Sequence, residues 1–128
     1  MLFRSKRLGG RADFSIFMGA AVLSAKALKL GFDGLVPSSG NLVPELWRDL
    51  YESARAQQWD RVDKLQVQLN EVAQVFQRNR SLGESLAALK AAMEVRGLCG
   101  PTVLPPLHTL DASSQTVVRR AFSALNLN

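Results

Sequence analysis

Small polar side chains follow an apolar run near the middle of the sequence. Residues 34–36 read GLV, and the run stops at PSSGN, residues 37–41. A helix is predicted to begin at Pro44, because proline lacks the N–H group that the first helical turn cannot satisfy. The stretch therefore predicts a strand, a polar loop and a helix. Loops at the carboxyl ends of parallel strands commonly hold the binding sites of α/β proteins, so we expect a site here.

The chain has one cysteine, Cys99, and one histidine, His108. These two residues cannot build a structural zinc site, and a nucleophile–histidine triad is not expected because His108 lies in a proline-bound loop. We therefore expect no metal and no cofactor. Cys99 is interpreted as a small buried side chain and His108 as a surface loop residue. A lone cysteine allows no disulfide within the chain, which suits a reducing compartment and predicts a cytoplasmic protein.

Length and charge exclude other classes of function. The chain of 128 residues, 47% hydrophobic and 21% charged, is typical of one globular core. The first eleven residues hold four basic side chains and no acid, and the rest holds twelve basic and eleven acidic side chains. The nearly neutral body predicts no nucleic-acid binding, and the basic start is either an organelle-targeting piece or a truncated end. The nearly uncharged run at residues 14–25 is shorter than the roughly 20 residues of a membrane span, so no membrane association is predicted.

Two strand–helix units are predicted in the first half of the chain. Residues 14–18 form an apolar run typical of a buried strand, and a helix over residues 20–30 follows it and ends at Gly31. The second strand spans residues 34–37 and the second helix residues 44–57. Apolar strands that alternate with helices predict a parallel sheet covered by helices.

From Trp59 onward the pattern is helical only. The first apolar stripe has helical spacing and consists of Val62, Leu65, Leu69, Val72 and Phe76. Ser81 and Glu84 form a capping box, which predicts a second helix that ends at Gly97. Its stripe consists of Leu82, Leu86, Leu89 and Met93.

A proline-containing connector, residues 98–110, leads to a last helix that Asp111 is predicted to cap. The residues of this helix that we expect to point inward are Val118, Phe122 and Leu125.

Two parallel strands alone leave unpaired backbone groups at both outer edges. Either the protein associates with other sheets or the sequence is the tail of a longer fold, and we expect the exposed edges to cause self-association.

Three segments carry a resemblance to a known family. DFSIFMG, LKLGFDGLVPSSGNLVPELWRDLYESA and GLCGPTVLPPLHTL resemble the C-terminal part of the dihydrodipicolinate synthase and N-acetylneuraminate lyase family over residues 8–127. The resemblance implies an α/β, mostly helical fold. Residues 1–58 would form the last two β/α units of a TIM-type (β/α)8 barrel, with residues 14–18 like the seventh strand and residues 35–37 like the eighth. Residues 59–128 would form a three-helix C-terminal extension.

The resemblance also implies an activity. Members of this family form or cleave carbon–carbon bonds by an aldol reaction, and they hold pyruvate or a related 2-oxo acid as a Schiff base on a lysine of the sixth strand. That strand and the proton-relaying tyrosine of the fifth strand have no counterpart in this sequence. The lysines present are Lys6, in the irregular start, and Lys26, Lys29, Lys64 and Lys90, interpreted as solvated helix residues. Tyr51 is interpreted as a packing residue, so we predict a lyase fragment that is inactive alone.

Three residues carry over to the substrate pocket by resemblance. Gly19 matches a glycine at the end of the seventh strand that lets substrate approach the backbone, Val36 an aliphatic residue that packs against pyruvate, and Ser38 a serine that contacts the substrate tail. The residues after Gly19 depart from the polar pattern of the family, because residues 20–22 read AAV. A site specific for hydroxyl groups supplies polar partners, so this departure argues against a sugar-acid tail.

An alternative function is a helical interaction module that docks on a partner, such as a separately encoded N-terminal barrel half. A third hypothesis is an intact small enzyme with unrelated chemistry.

Overall fold

The computed structural model describes residues 11, 13–125 and 127. In chain order they contain strand β1 (Phe17–Met18), helix α1 (Ser24–Lys29), strand β2 (Gly34–Leu35) and helices α2 (Pro44–Arg55), α3 (Trp59–Gln77), α4 (Leu82–Val95) and α5 (Ala112–Ser123). A short 3-10 turn follows each strand, Ala21–Leu23 after β1 and Ser38–Asn41 after β2. The chain divides into two compact units, Met1–Asn70 and Glu71–Asn128. The change from barrel to extension at residue 59 stays a prediction.

The two strands form a short parallel ladder. Phe17 lies opposite Gly34, and Met18 lies opposite Leu35. The Val36 N–H donates to the Met18 carbonyl at 2.9 Å, which continues the pairing one residue past the end of β2. Both predicted strands are present and parallel, but their regular pairing is shorter than predicted. Each strand has a single neighbour among the described residues, and a ladder with one partner frays from its ends.

The two faces of the ladder differ in burial. Met18 packs with Ala27 of α1 and with Phe32, and all three side chains are buried. Phe17 is on the opposite face and 56% exposed, because successive side chains of a strand point to opposite sides. The predicted strand of residues 14–18 was expected to be buried on both faces. It is buried only on the face that α1 covers.

The helices that follow the strands are shorter than predicted, for local reasons. Helix α1 begins at Ser24 because the 3-10 turn intervenes, and it is followed by Gly31 at φ +81°. Glycine adopts this left-handed conformation without steric cost, which confirms the predicted stop. Helix α2 begins at Pro44 as predicted and ends at Arg55, since Gln57 already has φ +56°.

Helix α3 confirms the predicted apolar stripe. Its five residues, Val62, Leu65, Leu69, Val72 and Phe76, are all buried. Gln66 is also buried, at 8% exposure, although the sequence pattern gave it no role.

Helix α4 starts with the predicted capping box. The Ser81 N–H donates to Glu84 Oε2 at 2.8 Å, and the Glu84 N–H donates to Ser81 Oγ at 3.3 Å. The predicted inward position of Leu82 is wrong, since Leu82 is 78% exposed. A Cβ atom built on Gly83 would lie 3.4 Å from Leu107 Cδ2, so the connector approaches the first turn at Gly83. The face of α4 that is buried consists mainly of small residues, namely Ser85, Ala87, Ala88, Leu89, Ala91 and Ala92.

The Asp111 cap of α5 is confirmed, because its carboxylate accepts from the Ser114 N–H at 2.9 Å. Three hydrogen bonds to this carboxylate, from Ser113 Oγ, the Ser114 N–H and Ser114 Oγ, lower the pKa of Asp111 to about 2. The inward residues of α5 are Val118 and Phe122, which are buried, and Leu125, which is half-buried. The Arg119 guanidinium donates from Nε to Glu94 Oε2 at 2.8 Å and ties α5 to α4.

Candidate functional site

The register of the ladder brings two predicted site residues together. Continued by one residue past Met18 and Leu35, the register places Gly19, which follows β1, opposite Val36, which follows β2. Both residues lie at the carboxyl ends of parallel strands, the edge at which (β/α) barrels present their chemistry. The Val36 N–H donates to the Met18 carbonyl at 2.9 Å, and this hydrogen bond holds Val36 beside the end of β1.

The apposed residues are open to solvent on one side. Val36 is 66% exposed. A Cβ atom built on Gly19 would meet no other atom within 4 Å among the described residues. Nothing in this part of the chain therefore requires glycine at position 19 for space, and the close approach of a substrate to its backbone stays a prediction.

Phe17 lies one layer below this pair. Alternation along each strand puts Phe17 on the face of Gly19, and Gly34 on the face of Val36. A Cβ atom built on Gly34 would lie 2.5 and 2.7 Å from the Cε1 and Cδ1 atoms of Phe17, so the aromatic ring lies directly over Gly34 and would have to move if this residue had a side chain. This pairing forms an apolar floor beneath Gly19 and Val36. The sequence pattern marked Phe17 only as a strand residue, and the register was needed to find its position.

The mouth loop, defined as residues 37–41, follows β2. Its two serines differ in burial and in hydrogen bonding. Ser38 is half-buried, and its hydroxyl makes no hydrogen bond with the described residues. Its carbonyl accepts from Asn41 Nδ2 at 3.1 Å. Ser39 is fully buried, and its Oγ accepts from Trp47 Nε1 of α2 at 3.1 Å. Ser38 thus has a hydroxyl at the strand end with no partner in the described part of the chain, whereas Ser39 makes a structural contact that sequence reasoning missed.

The segment after Gly19 is held by a buried glutamine. Gln66 Oε1 accepts from the Ala25 N–H at 2.8 Å, and Gln66 Nε2 donates to the Ala21 carbonyl at 3.1 Å. Both contacts satisfy backbone groups where the 3-10 turn passes into α1. Gln66 is four residues from Val62 on the buried stripe of α3. A polar residue at such a position is the signal that could have identified it.

The described lysines lie away from the strand ends. Lys26, Lys29 and Lys64 are exposed on helices, and Lys90 is half-buried on α4. Lys29 Nζ forms an ion pair with the Asp63 carboxylate at 2.7 Å. The prediction of helix positions for these four lysines is confirmed, and Lys6 lies outside the described residues.

Tyr51 lies at the opposite end of β2 from the mouth loop. Its hydroxyl donates to the carbonyl of Asp33, the residue that directly precedes β2, at 3.1 Å. Tyr51 is half-buried, which agrees with the predicted packing role. It is therefore not placed to exchange a proton with a group at the mouth loop.

Other candidate groups form no site in the described part of the chain. No cluster of three or more His, Cys, Asp or Glu side chains with metal-binding geometry occurs among residues 11, 13–125 and 127. His108 is exposed, as predicted. Cys99 was expected to be buried, but it is only half-buried. The helices in the described ranges are all too short or too polar to cross a bilayer.

Comparison with known proteins finds a family match over residues 5–125, to the model of the dihydrodipicolinate synthetase family. An uncharacterised DapA-like lyase of Thermococcus kodakarensis is 32% identical over 103 residues, which are 80% of this chain and 34% of that protein. The 4-hydroxy-tetrahydrodipicolinate synthase of Methanopyrus kandleri is 25% identical over 116 residues, 90% of this chain and 37% of that protein. The chain thus spans about a third of the length of the curated relatives it matches.

Solved structures give the same result for the fold. The dihydrodipicolinate synthase of Bacteroides thetaiotaomicron matches with a TM-score of 0.85 and 26% identity, over 94% of this chain and 41% of that one. The sialic acid aldolase of Ruminococcus gnavus matches with a TM-score of 0.80 and 24% identity, over 97% and 40%. YagE, an E. coli K12 prophage protein solved in complex with pyruvate, matches with a TM-score of 0.80 and 22% identity, over 97% and 41%. These matches confirm the predicted architecture, the last two β/α units of a TIM-type barrel followed by a helical extension.

Proposed function

Because the chain belongs to the dihydrodipicolinate synthetase family, we propose that it forms one wall of the pocket of a Schiff-base lyase or aldolase for pyruvate or a related 2-oxo acid. We further propose that it does not supply the lysine nucleophile and is inactive alone. The observation that carries the proposal is the apposition of Gly19 and Val36 at the carboxyl ends of the two strands. The pyruvate complex of YagE supports the choice of ligand.

Each wall residue has a role that follows from its chemistry. The exposed Val36 side chain offers an apolar surface to the carbon chain of the 2-oxo acid. Gly19 leaves its strand end open, so that substrate can approach the backbone. The free hydroxyl of Ser38 can donate a hydrogen bond to the substrate or accept one from it. Ser38 is the only one of the three with a polar side chain, and its hydroxyl is a weak nucleophile at neutral pH without an activating partner.

Lysine chemistry supports the proposal that the described residues supply no nucleophile. An exposed lysine has a pKa near 10.4, so roughly one in two thousand is neutral and reactive at pH 7. A dry pocket can lower this pKa by about three units. Lys26, Lys29 and Lys64 are exposed on helices, and Lys90 is only half-buried on α4, so none of these four lysines lies in a dry pocket.

Borohydride trapping tests the proposal. Incubation of the chain with pyruvate and borohydride is expected to give slow, scattered lysine labelling and no stoichiometric adduct by mass spectrometry. Co-expression with the N-terminal part of a related full-length lyase is expected to give one saturable adduct, located on the co-expressed part. Val36→Asp should weaken that adduct, since it puts a charge on the apolar wall. Rapid, saturable labelling of a single lysine of this chain alone would contradict the proposal.

The second substrate is proposed to need few hydrogen bonds from this wall. Residues 20–22 supply only alanine and valine side chains after Gly19, and Val22 is 58% exposed. A small aldehyde should therefore be a better acceptor in the co-expressed lyase than a polyhydroxylated sugar aldehyde. A higher kcat/KM for the sugar aldehyde would contradict this assignment.

A second candidate function is docking on a partner. The exposed face of the ladder, with Phe17 at 56% and Val36 at 66% exposure, favours it. Unpaired strand edges are also templates for pairing, so the chain alone is proposed to self-associate. Analytical ultracentrifugation at micromolar concentration, with binding of an apolar dye, tests this. A clean monomer that binds no dye would rule out self-association.

The lone Cys99 supports a reducing, cytoplasmic location.

A further inference from the structure

We infer that Trp47 and Ser39 form a positioning pair that holds the mouth loop and thereby fixes where Ser38 presents its hydroxyl. The inference rests on the proposed function for the role of Ser38, but the pair itself is defined by geometry in this chain. Trp47 Nε1 donates to Ser39 Oγ at 3.1 Å across eight residues of sequence. Trp47 is 6% exposed and Ser39 is 0% exposed, so water does not compete for this bond.

The backbone of Ser39 also anchors the loop to α2. Its carbonyl accepts from the N–H groups of Leu42 and Val43, at 3.0 and 2.9 Å. The Val43 carbonyl in turn accepts from the Trp47 N–H, at 3.4 Å. The side chain and the backbone of Ser39 are thus both held at the start of α2, and the loop cannot shift without losing several buried bonds.

The indole of Trp47 also lies close to Gly40 of the mouth loop. A Cβ atom built on Gly40 would lie 4.0 Å from Trp47 Cδ1 and 3.4 Å from Pro37 Cγ. The proline fixes its own φ angle near −65°, and the observed value is −82°. The mouth loop therefore has a stiff residue at its start and the indole ring beside Gly40.

These contacts fix the position of Ser38. It is the direct neighbour of Ser39, is half-buried and has a hydroxyl without a partner among the described residues. A hydroxyl on a loose loop would lose conformational freedom on binding, whereas one on a fixed loop is already in place. A misplacement of about 1 Å can cost about 100-fold in rate or binding, so the supporting contacts matter as much as Ser38 itself.

The first test uses the chain alone and decides whether the pair holds the loop. In Ser39→Ala the Trp47 indole N–H signal should shift in a ¹⁵N NMR spectrum, and the Leu42 and Val43 amides should exchange at least about tenfold faster. Ser39→Thr keeps the hydroxyl and should leave both nearly unchanged. The indole of Trp59, on α3, is the internal control. An unchanged Trp47 signal and unchanged exchange in Ser39→Ala would overturn the inference.

The second test uses the chain co-expressed with the N-terminal part of a related lyase. Ser39→Ala and Trp47→Phe should each raise the KM for pyruvate about five- to tenfold with less than a twofold change in kcat, and Ser39→Thr should restore the KM. In a Ser38→Ala background, Ser39→Ala should have no further effect, because it acts through Ser38. Additive effects, or an unchanged KM, would overturn the positioning role.

Ser24→Ala is the matched control. Ser24 is also a fully buried serine, but its hydroxyl has no hydrogen-bond partner among the described residues. Its removal should leave the KM unchanged, which separates the loss of this particular bond from the loss of any buried hydroxyl. If the co-expressed protein gives no pyruvate adduct, the proposed function fails. The NMR result on the chain alone still decides whether Trp47 and Ser39 hold the loop.

Discussion

The β1–β2 ladder and the α4–α5 pair satisfy their backbone groups in different ways. Strand groups must find partners on another strand, and within the described part of the chain each strand has one such neighbour. The helices pair their groups internally, and capping side chains at Ser81 and Asp111 satisfy N–H groups at the helix starts. The backbone groups of α4 and α5 therefore find partners mostly within their own helices, whereas those at the outer edges of the ladder would need a further strand.

Side-chain packing shows the same difference. The inner face of α4 is built of alanines such as Ala88 and Ala91, which allow close approach, and Val118 of α5 is fully buried. The ladder buries Met18 on one face and leaves Phe17 and Val36 largely exposed on the other. Burial on a single face gives the ladder about half the apolar contact that an interior strand would have. The exposed face of the ladder is therefore the surface of the described chain on which the proposed binding or association would depend.

Hydrogen exchange should show the largest difference between the two regions. The amides of α4 are expected to be protected at least about a thousandfold more strongly than the Val36 amide, because opening a two-stranded ladder disrupts few contacts. Exchange of the chain followed by NMR or mass spectrometry measures this. Stronger protection at residues 14–18 than in α4 would reverse the comparison.

Matched phenylalanine truncations should give the next largest effect. Phe76→Ala removes a side chain that is 2% exposed and is expected to lower the free energy of unfolding by about 3–5 kcal/mol. Phe17→Ala removes one that is 56% exposed, and a loss of about 1 kcal/mol or less is expected. Urea denaturation followed by circular dichroism measures both. Equal losses would mean that the exposed face of the ladder is covered in solution.

Removal of the α4 cap should have a smaller effect. Ser81→Ala leaves the Glu84 N–H without its side-chain acceptor and is expected to cost about 1 kcal/mol of stability. Ser81→Thr keeps the acceptor and serves as the control. A loss in Ser81→Thr as large as in Ser81→Ala would show that the hydroxyl is not the stabilising group.

The α5 cap should give the smallest effect, visible only in acid. The pKa of Asp111 is lowered to about 2, so its contribution to stability is complete above the ordinary value of 3.8 and is lost as the pH falls through about 2. An NMR titration should give a midpoint near 2 for this carboxyl group. Asp111→Asn keeps a capping oxygen and should remove this part of the pH dependence. A midpoint near 3.8 would contradict the hydrogen-bonded geometry.

The predicted site was only partly accessible from the sequence. Gly19, Val36 and Ser38 were proposed by resemblance, and the apposition of Gly19 and Val36 depends on a register that no local pattern contains. Their roles in binding stay proposals. Trp47 and Phe17 were missed because a tryptophan on an amphipathic helix and a phenylalanine in an apolar strand look like ordinary core residues.

The sequence by itself determined the helices, their caps and the order of the two strand–helix units. Such features depend on residues three or four positions apart, as in the box of Ser81 and Glu84, so short-range spacing suffices to find them. Tertiary structure alone decided the contacts between distant segments. Gln66 reaches the Ala25 N–H across 41 residues, and Trp47 reaches Ser39 across the turn into α2. The physical reason is that a buried polar atom takes whichever partner the packed chain brings within hydrogen-bonding distance, and packing is a property of the whole fold.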